Sequence, residues 1–167
     1  MSEQDERQER VKLWWKEFTG TPSYSSLTEL QRTHAAHIVL TFAEFMRDHE
    51  GEGPSEWTSK AVATVCLDTM PKKVVAREDY FVAVAPVLTR FFEFLAERRY
   101  QTRARRLAED VATLGAAIVK VANDPGNWGI AKHLILTAEE HGVDTHDADQ
   151  LQAFANQMLE GLGDGSS

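Results

Sequence analysis

The chain has 167 residues, 43% hydrophobic and 26% charged, enough for one domain to bury a core without disulfides or metal. Its charged opening, MSEQDERQERVK, has no apolar leader, and no apolar run reaches the roughly 18 residues a membrane span needs, so neither secretion nor membrane insertion is expected. The net charge of -8 lies at one end, because residues 1–106 carry 16 basic and 16 acidic side chains whereas residues 107–167 carry 2 basic and 10 acidic, a balance that disfavours a phosphate backbone on the C-terminal third.

In chain order, residues 3–18 place Val11, Leu13, Trp14, Trp15 and Phe18 behind a charged first stretch and predict a helix that TGTPSYSS ends with turn chemistry. From Ser26 to about Arg47, Leu27, Leu30, His34, Ile38, Phe42 and Phe45 recur at three- and four-residue spacing and predict one buried helical face. DHEGEGPSE breaks that helix. Trp57 then introduces TSKAVATVCLDTM, a short helix capped by Thr58 or Ser59 and expected to end at Pro71, with KKVVA as an extended connector.

REDYFVAVAPVLTRFFEFLAERR predicts two helices meeting at Pro86, since proline removes a backbone donor and clashes with the preceding turn. Pro86 would open the second, with Leu88, Phe91, Phe92 and Leu95 directed inward. After Tyr100, Leu107, Val111, Leu114, Ile118 and Val121 form a stripe that predicts a single helix. NDPGNWG closes it and opens another, from about Asn127 to His141, which Gly142 ends. VDTHDAD then caps a last helix lined by Leu151, Phe154, Ala155, Met158 and Leu162. The expected fold is therefore all-α, a compact bundle of about seven helices forming a single domain over residues 1–162, with a disordered tail at 163–167.

WTSKAVATVCLDTMPKK, VLTRFFEFLAERR and NDPGNWGIAKHLILTAEEHGVD, in that order, resemble an uncharacterised all-helical domain of bacterial and archaeal proteins associated with SEC-C proteins and mobile-element passenger proteins. The resemblance covers about Trp57 to Ala155 and lacks the Cys-rich SEC-C metal motif. It implies a cytoplasmic helical module and carries over no catalytic residue.

Several stretches invite functional readings. Cys66 lies among apolar neighbours in AVATVCLDTM, with no partner for an internal disulfide and no electropositive neighbour to make a thiolate, which fits a reducing cytoplasm. NDPGNWGIAKHL lacks the paired Gly-Lys and following hydroxyl of a phosphate loop. It reads better as a helix start, with Asp124 or Asn127 capping, Gly129 allowing close packing, Trp128 anchoring and Lys132 at the surface. HAAH sets His34 and His37 one turn apart, and HGVDTHDAD gathers His141, Asp144, His146 and Asp147; a core or boundary histidine and a helix cap explain both without metal. No catalytic residue, metal or cofactor is assigned.

The most distinctive stretch is RRYQTRARR, with Arg98, Arg99, Arg103, Arg105 and Arg106 around Tyr100. Planar guanidinium groups bind carboxylates and phosphates alike, and Lys72, Lys73 and Arg77 are candidates to extend the patch. Solvated helix faces also carry such arginines. The functional expectation is a non-enzymatic interaction or accessory module that binds a protein partner, with a nucleic-acid-associated role on mobile elements as the alternative and an enzyme third.

Overall fold

The computed structural model describes residues 3–127 and 136–142, together with 149, 150, 152, 153 and 156. All regular structure among them is helical, so the all-α class holds. The first helix, α1 (Glu3–Phe18), buries Val11, Trp14 and Phe18 at helical spacing. TGTPSYSS contains more than a turn: Thr21 accepts from the Tyr24 amide at 3.4 Å, Pro22 opens the helix, and the four residues of α2 (Pro22–Ser25) follow.

Next, α3 (Glu29–Glu50) starts with a capping box, in which the Gln31 amide donates to Thr28 Oγ1 at 3.1 Å and the Thr28 amide donates to Gln31 Oε1 at 2.9 Å. It ends at Gly51, whose φ of 68° lies in the left-handed region that glycine adopts without strain. Of the stripe expected on this helix, Ile38 and Phe42 are buried and Leu30, in the first turn, is not, being 52% exposed.

Thr58 caps α4 (Ser59–Thr64), and Glu52 holds Thr58 in turn, accepting from its amide at 2.7 Å and its hydroxyl at 2.9 Å. The helix does not stop at Pro71. A π-helical segment (Val65–Thr69) joins α4 to α5 (Met70–Lys73), with the Met70 amide donating to the Val65 carbonyl. That wider turn accommodates a residue with no amide hydrogen and a bulky ring, so the rod runs to Lys73 before the extended residues 74–77.

Pro86 is likewise internal. One helix, α6 (Glu78–Glu97), runs through it, and the carbonyl of Val82 forgoes its usual donor four residues ahead. Val82 itself is 50% exposed, on the face of α6 turned away from the core. Leu88, Phe91, Phe92 and Leu95 face inward as expected. Conversely, the single helix expected after Tyr100 is two, α7 (Ala104–Ala112) and α8 (Gly115–Asn123). At the break the Thr113 amide and hydroxyl both turn to the Asp110 carbonyl, at 3.2 and 2.7 Å, and the Leu114 amide bonds Val111 at 3.0 Å. A 3-10 turn (Pro125–Asn127) follows, residues 136–140 are helical, and Gly142 ends that segment with a φ of 77°.

The described helices share one continuous core around α6, which packs most extensively on α7, α3 and α8 and also meets α1 and α2. Aromatic rings dominate it. Trp57 is fully buried, with ring centroids 5.2 Å from Phe42, 6.0 Å from Phe92 and 6.3 Å from Trp14, while Phe18 stands 5.4 Å from Phe91. Among the described residues no helix is long and apolar enough to cross a membrane.

Truncating the buried indole in Trp57→Ala should destabilise the protein by about 3–5 kcal/mol, whereas Leu13→Ala on the solvent face of α1 should cost under about 0.5 kcal/mol, as chemical denaturation would measure. Pro86→Ala, which restores a donor to the Val82 carbonyl, should raise stability by about 1–2 kcal/mol; a loss would show that the proline ring contributes more through packing than its missing hydrogen bond costs.

Candidate interaction surface

The arginine-rich stretch begins where α6 ends. The Tyr100 amide donates to the Leu95 carbonyl at 2.9 Å and the Arg99 amide to that of Ala96 at 3.1 Å, the paired bonds of a helix stop that needs a left-handed residue. Arg99 supplies it, with a φ of 58° where glycine is usual.

Three of the five arginines are committed within the fold. Arg98 donates to Glu17 of α1 at 2.8 Å and lies 5.7 Å from the Phe94 ring centroid. The Tyr100 hydroxyl donates to the same carboxylate at 2.9 Å, which pushes the phenol pKa up, while its ring stacks on Trp14 at 5.9 Å. Arg103 reaches the carbonyls of Trp57 and Glu56 at 3.4 and 3.5 Å, beside the buried Gln101 amide that also reaches Trp57. Arg106 pairs with Asp110 one turn along at 3.1 Å. Arg99 and Arg105 are exposed and make no ion pair among the described residues.

Lys72 and Lys73 stand elsewhere. Arg103 touches the start of the rod formed by α4, the π segment and α5, and the two lysines sit at its far end, about 20 Å away at about 1.5 Å per residue. Lys72 pairs with Asp68 at 2.7 Å, and Lys73 is exposed. Arg77 opens α6 and borders a different cavity. The structure therefore separates the lysines from the arginine cluster.

Arg99 and Arg105 instead border an open groove between α6 and the pair α7–α8. Three adjoining cavities of about 530, 400 and 290 Å³ make it up, the first two sharing Thr89, Glu93 and Ala112, the last two sharing Ala96 and Arg105. Its wide end carries Val82, Pro86 and Val119 with Ala85 and Gly115, edged by Arg90 and Glu93; Glu93, Glu97, Glu109 and Arg105 line the middle; Arg99 and Arg105 border the narrow end. The sequence carries a faint sign of this face. Val82 and Pro86 stand on the same helical line as Thr89, Glu93 and Glu97, an apolar pair on an otherwise polar line.

The histidines of HAAH diverge to separate partners on α6. His34 Nε2 lies 3.1 Å from Asp79 Oδ2, and His37 Nδ1 lies 2.7 Å from the Tyr80 hydroxyl, with Tyr80 5.4 Å edge-on from each imidazole. Burial pushes the Tyr80 phenol up, so it keeps its proton beside His37. The hydrogen bond from His34 holds the Asp79 carboxyl below the usual carboxylate range, helped by the charge of His34 and by backbone amides. These groups border a shallow cavity of about 350 Å³ with Val74, Val75 and Arg77. Nothing in the local sequence announces these contacts, which join residues 45 and 43 positions apart.

The remaining candidates resolve simply. Cys66 is fully buried and its thiol is pushed up to about 12, leaving no thiolate nucleophile near neutral pH. Asp124 accepts from the Gly126 amide at 2.9 Å, and the Asn127 side-chain amide donates to Val121 at 3.4 Å, so both serve the end of α8. His141 Nδ1 lies 2.9 Å from the Thr137 carbonyl. Trp128, Gly129, Lys132, Asp144, His146, Asp147, the core positions expected from Leu151 to Leu162 and the tail at 163–167 lie outside the described residues. Among the described residues no three His, Cys, Asp or Glu side chains are arranged to hold a metal ion.

In His34→Ala the Asp79 carboxyl should titrate higher than in the wild type, as carboxyl-carbon NMR would follow. Because the folded-state pKa of Asp79 is depressed, the stability this pair adds is present above the ordinary carboxylate pKa of about 3.9 and fades as pH falls through the lower folded value. The difference between wild type and variant should accordingly shrink below about pH 4. Comparison with known protein families, with curated proteins and with solved structures finds no match to this chain.

Proposed function

We propose that this protein is a non-enzymatic helical module that binds a protein partner along the groove between α6 and α7–α8. The observation that carries the reading is the groove itself: an exposed apolar end continuous with a middle lined by glutamates and Arg105 and an end bordered by Arg99 and Arg105, which make no ion pair among the described residues. Protein interfaces combine an apolar centre with a charged rim in this way. A nucleic-acid role draws support only from Arg99 and Arg105, and Glu93, Glu97 and Glu109 on the same groove would repel a phosphate backbone. Arg98, Arg103 and Arg106, which strengthened that alternative in the sequence, already have partners.

The test is a photo-crosslinking residue placed at Ala112 or Ala116 in the groove, or at Leu13 away from it, in native lysate. Groove positions should give protein adducts that survive nuclease treatment, and Leu13 should not. Retention on duplex DNA at low salt that disappears in the Arg99→Ala, Arg105→Ala double variant would favour the nucleic-acid alternative and sink this reading.

A further inference from the structure

Resting on that reading, we infer that the narrow end of the groove is a seat for one oxyanion head group, a carboxylate or a phosphate on a side chain of the protein partner, held by Arg99 and Arg105. The cavity there, of about 290 Å³, is lined by Ala96, Arg99, Gln101, Thr102 and Arg105, with no acidic residue among the described ones. Glu97 and Glu109 line the adjoining cavity together with Arg105, yet neither Arg99 nor Arg105 forms an ion pair with them. Two guanidinium groups with open donors on a cavity of this size suit a compact anion, because a carboxylate or phosphate offers paired oxygens to each planar fork. A run of phosphates along the groove would have to pass Glu97 and Glu109, whereas a single head group at its end does not.

Both arginines stand where the fold alone favours another residue. Arg99 is the one non-glycine residue at positive φ among the described residues, at a helix stop where glycine fits without strain. Its exposed side chain makes no hydrogen bond or ion pair among the described residues, so no contact inside the fold offsets that conformation. Arg105 lies in the first turn of α7, which has no acidic residue and whose N-cap, Arg103, makes no side-chain cap. A positive charge there opposes the helix dipole, and an anion held beside it removes the opposition. Thr102, exposed just before that turn and without a side-chain hydrogen bond among the described residues, adds a hydroxyl donor to the same cavity.

Inorganic phosphate and acetate are the probes, titrated into the full chain at constant ionic strength while arginine Nε–Hε and backbone amide resonances are followed by NMR. With at least one probe, saturable shifts should appear at Arg99, Thr102 and Arg105. The dissociation constant should rise roughly tenfold or more in the Arg99→Gln, Arg105→Gln double variant but not in Arg106→Gln, whose side chain lies outside the cavity and pairs with Asp110. Arg99→Gly separates the seat from the fold: relief of the left-handed conformation should raise the melting temperature by about 2–4 °C while anion binding weakens. Shifts that do not saturate, that spread evenly to Arg10 and Arg90, or that persist in the double variant would overturn the seat, as would a lower melting temperature in Arg99→Gly. For the partner as carrier of the anion, photo-adducts at Ala112 should fall in the double variant. Unchanged adducts would assign the anion to a free small molecule and overturn that carrier; no adducts in the wild type would overturn the protein-binding reading itself, with the phosphate and acetate shifts still deciding the seat.

Discussion

Burial of α6 is the constraint on which the rest of the fold depends. Eleven of its twenty residues are buried, among them Phe81, Phe91, Phe92 and Phe94 pointing to different sides, so no single neighbour can cover it. A helix that apolar must be surrounded. The chain meets the demand by placing α3 on one side, α7 and α8 on others, and α1 and α2 near its C-terminal half through Phe18 and its neighbouring rings. What stays open is the line through Val82, Thr89 and Glu93, and the groove is the gap left along it.

The connections are held as firmly as the helices. Glu52 fixes Thr58, Thr58 starts α4, and the backbone of the adjacent Trp57 receives Gln101 and Arg103 from the turn before α7. The indole of Trp57 meanwhile lies among Trp14, Phe42 and Phe92, so one residue joins α1, α3, α6 and the entry to α4. Among the described residues its Nε1 hydrogen has no acceptor, a cost set against the dispersion gained by an aromatic neighbour on several sides. Arg98 works similarly, tying the end of α6 to α1 through Glu17. Much of the basic stretch is therefore mortar between helices, and the surface chemistry rests on the two arginines left over.

What could be read from the sequence divides along physical range. Helical periodicity and caps act within a turn or two, so α1, the start of α4 at Thr58 and the stop at Gly142 were legible, while α3, expected from Ser26 to about Arg47, runs from Glu29 to Glu50. The prolines misled because the local rule was outweighed by burial: both Pro71 and Pro86 lie in helices whose remaining residues gain more from staying packed than one missing hydrogen bond costs. The break between α7 and α8 was hidden for the opposite reason, since an unbroken apolar stripe ran over a bend closed by Thr113. For the surface, sequence proximity was the misleading signal. It grouped five arginines, two of which are held by Glu17 and by the carbonyl of Trp57, 81 and 46 residues distant, and it gave no hint that His34 meets Asp79.

The π segment between α4 and α5 has a consequence for how the chain tolerates changes in length. A π turn accommodates one more residue than an α turn while letting the flanking helices keep their faces, so Ala61 and Val62 before it and Met70 after it all address the same core. Removing one solvent-facing residue there, such as Asp68, would let the rod close into an uninterrupted α-helix without rotating Met70 out of the interior. The same deletion elsewhere in the rod would turn every following side chain by about 100°. Closure would, however, bring the ring of Pro71 against the carbonyl four positions back, the clash the wider turn relieves. Insertion and proline are thus mutually compensating, and a viable shortening of this rod would have to lose both together.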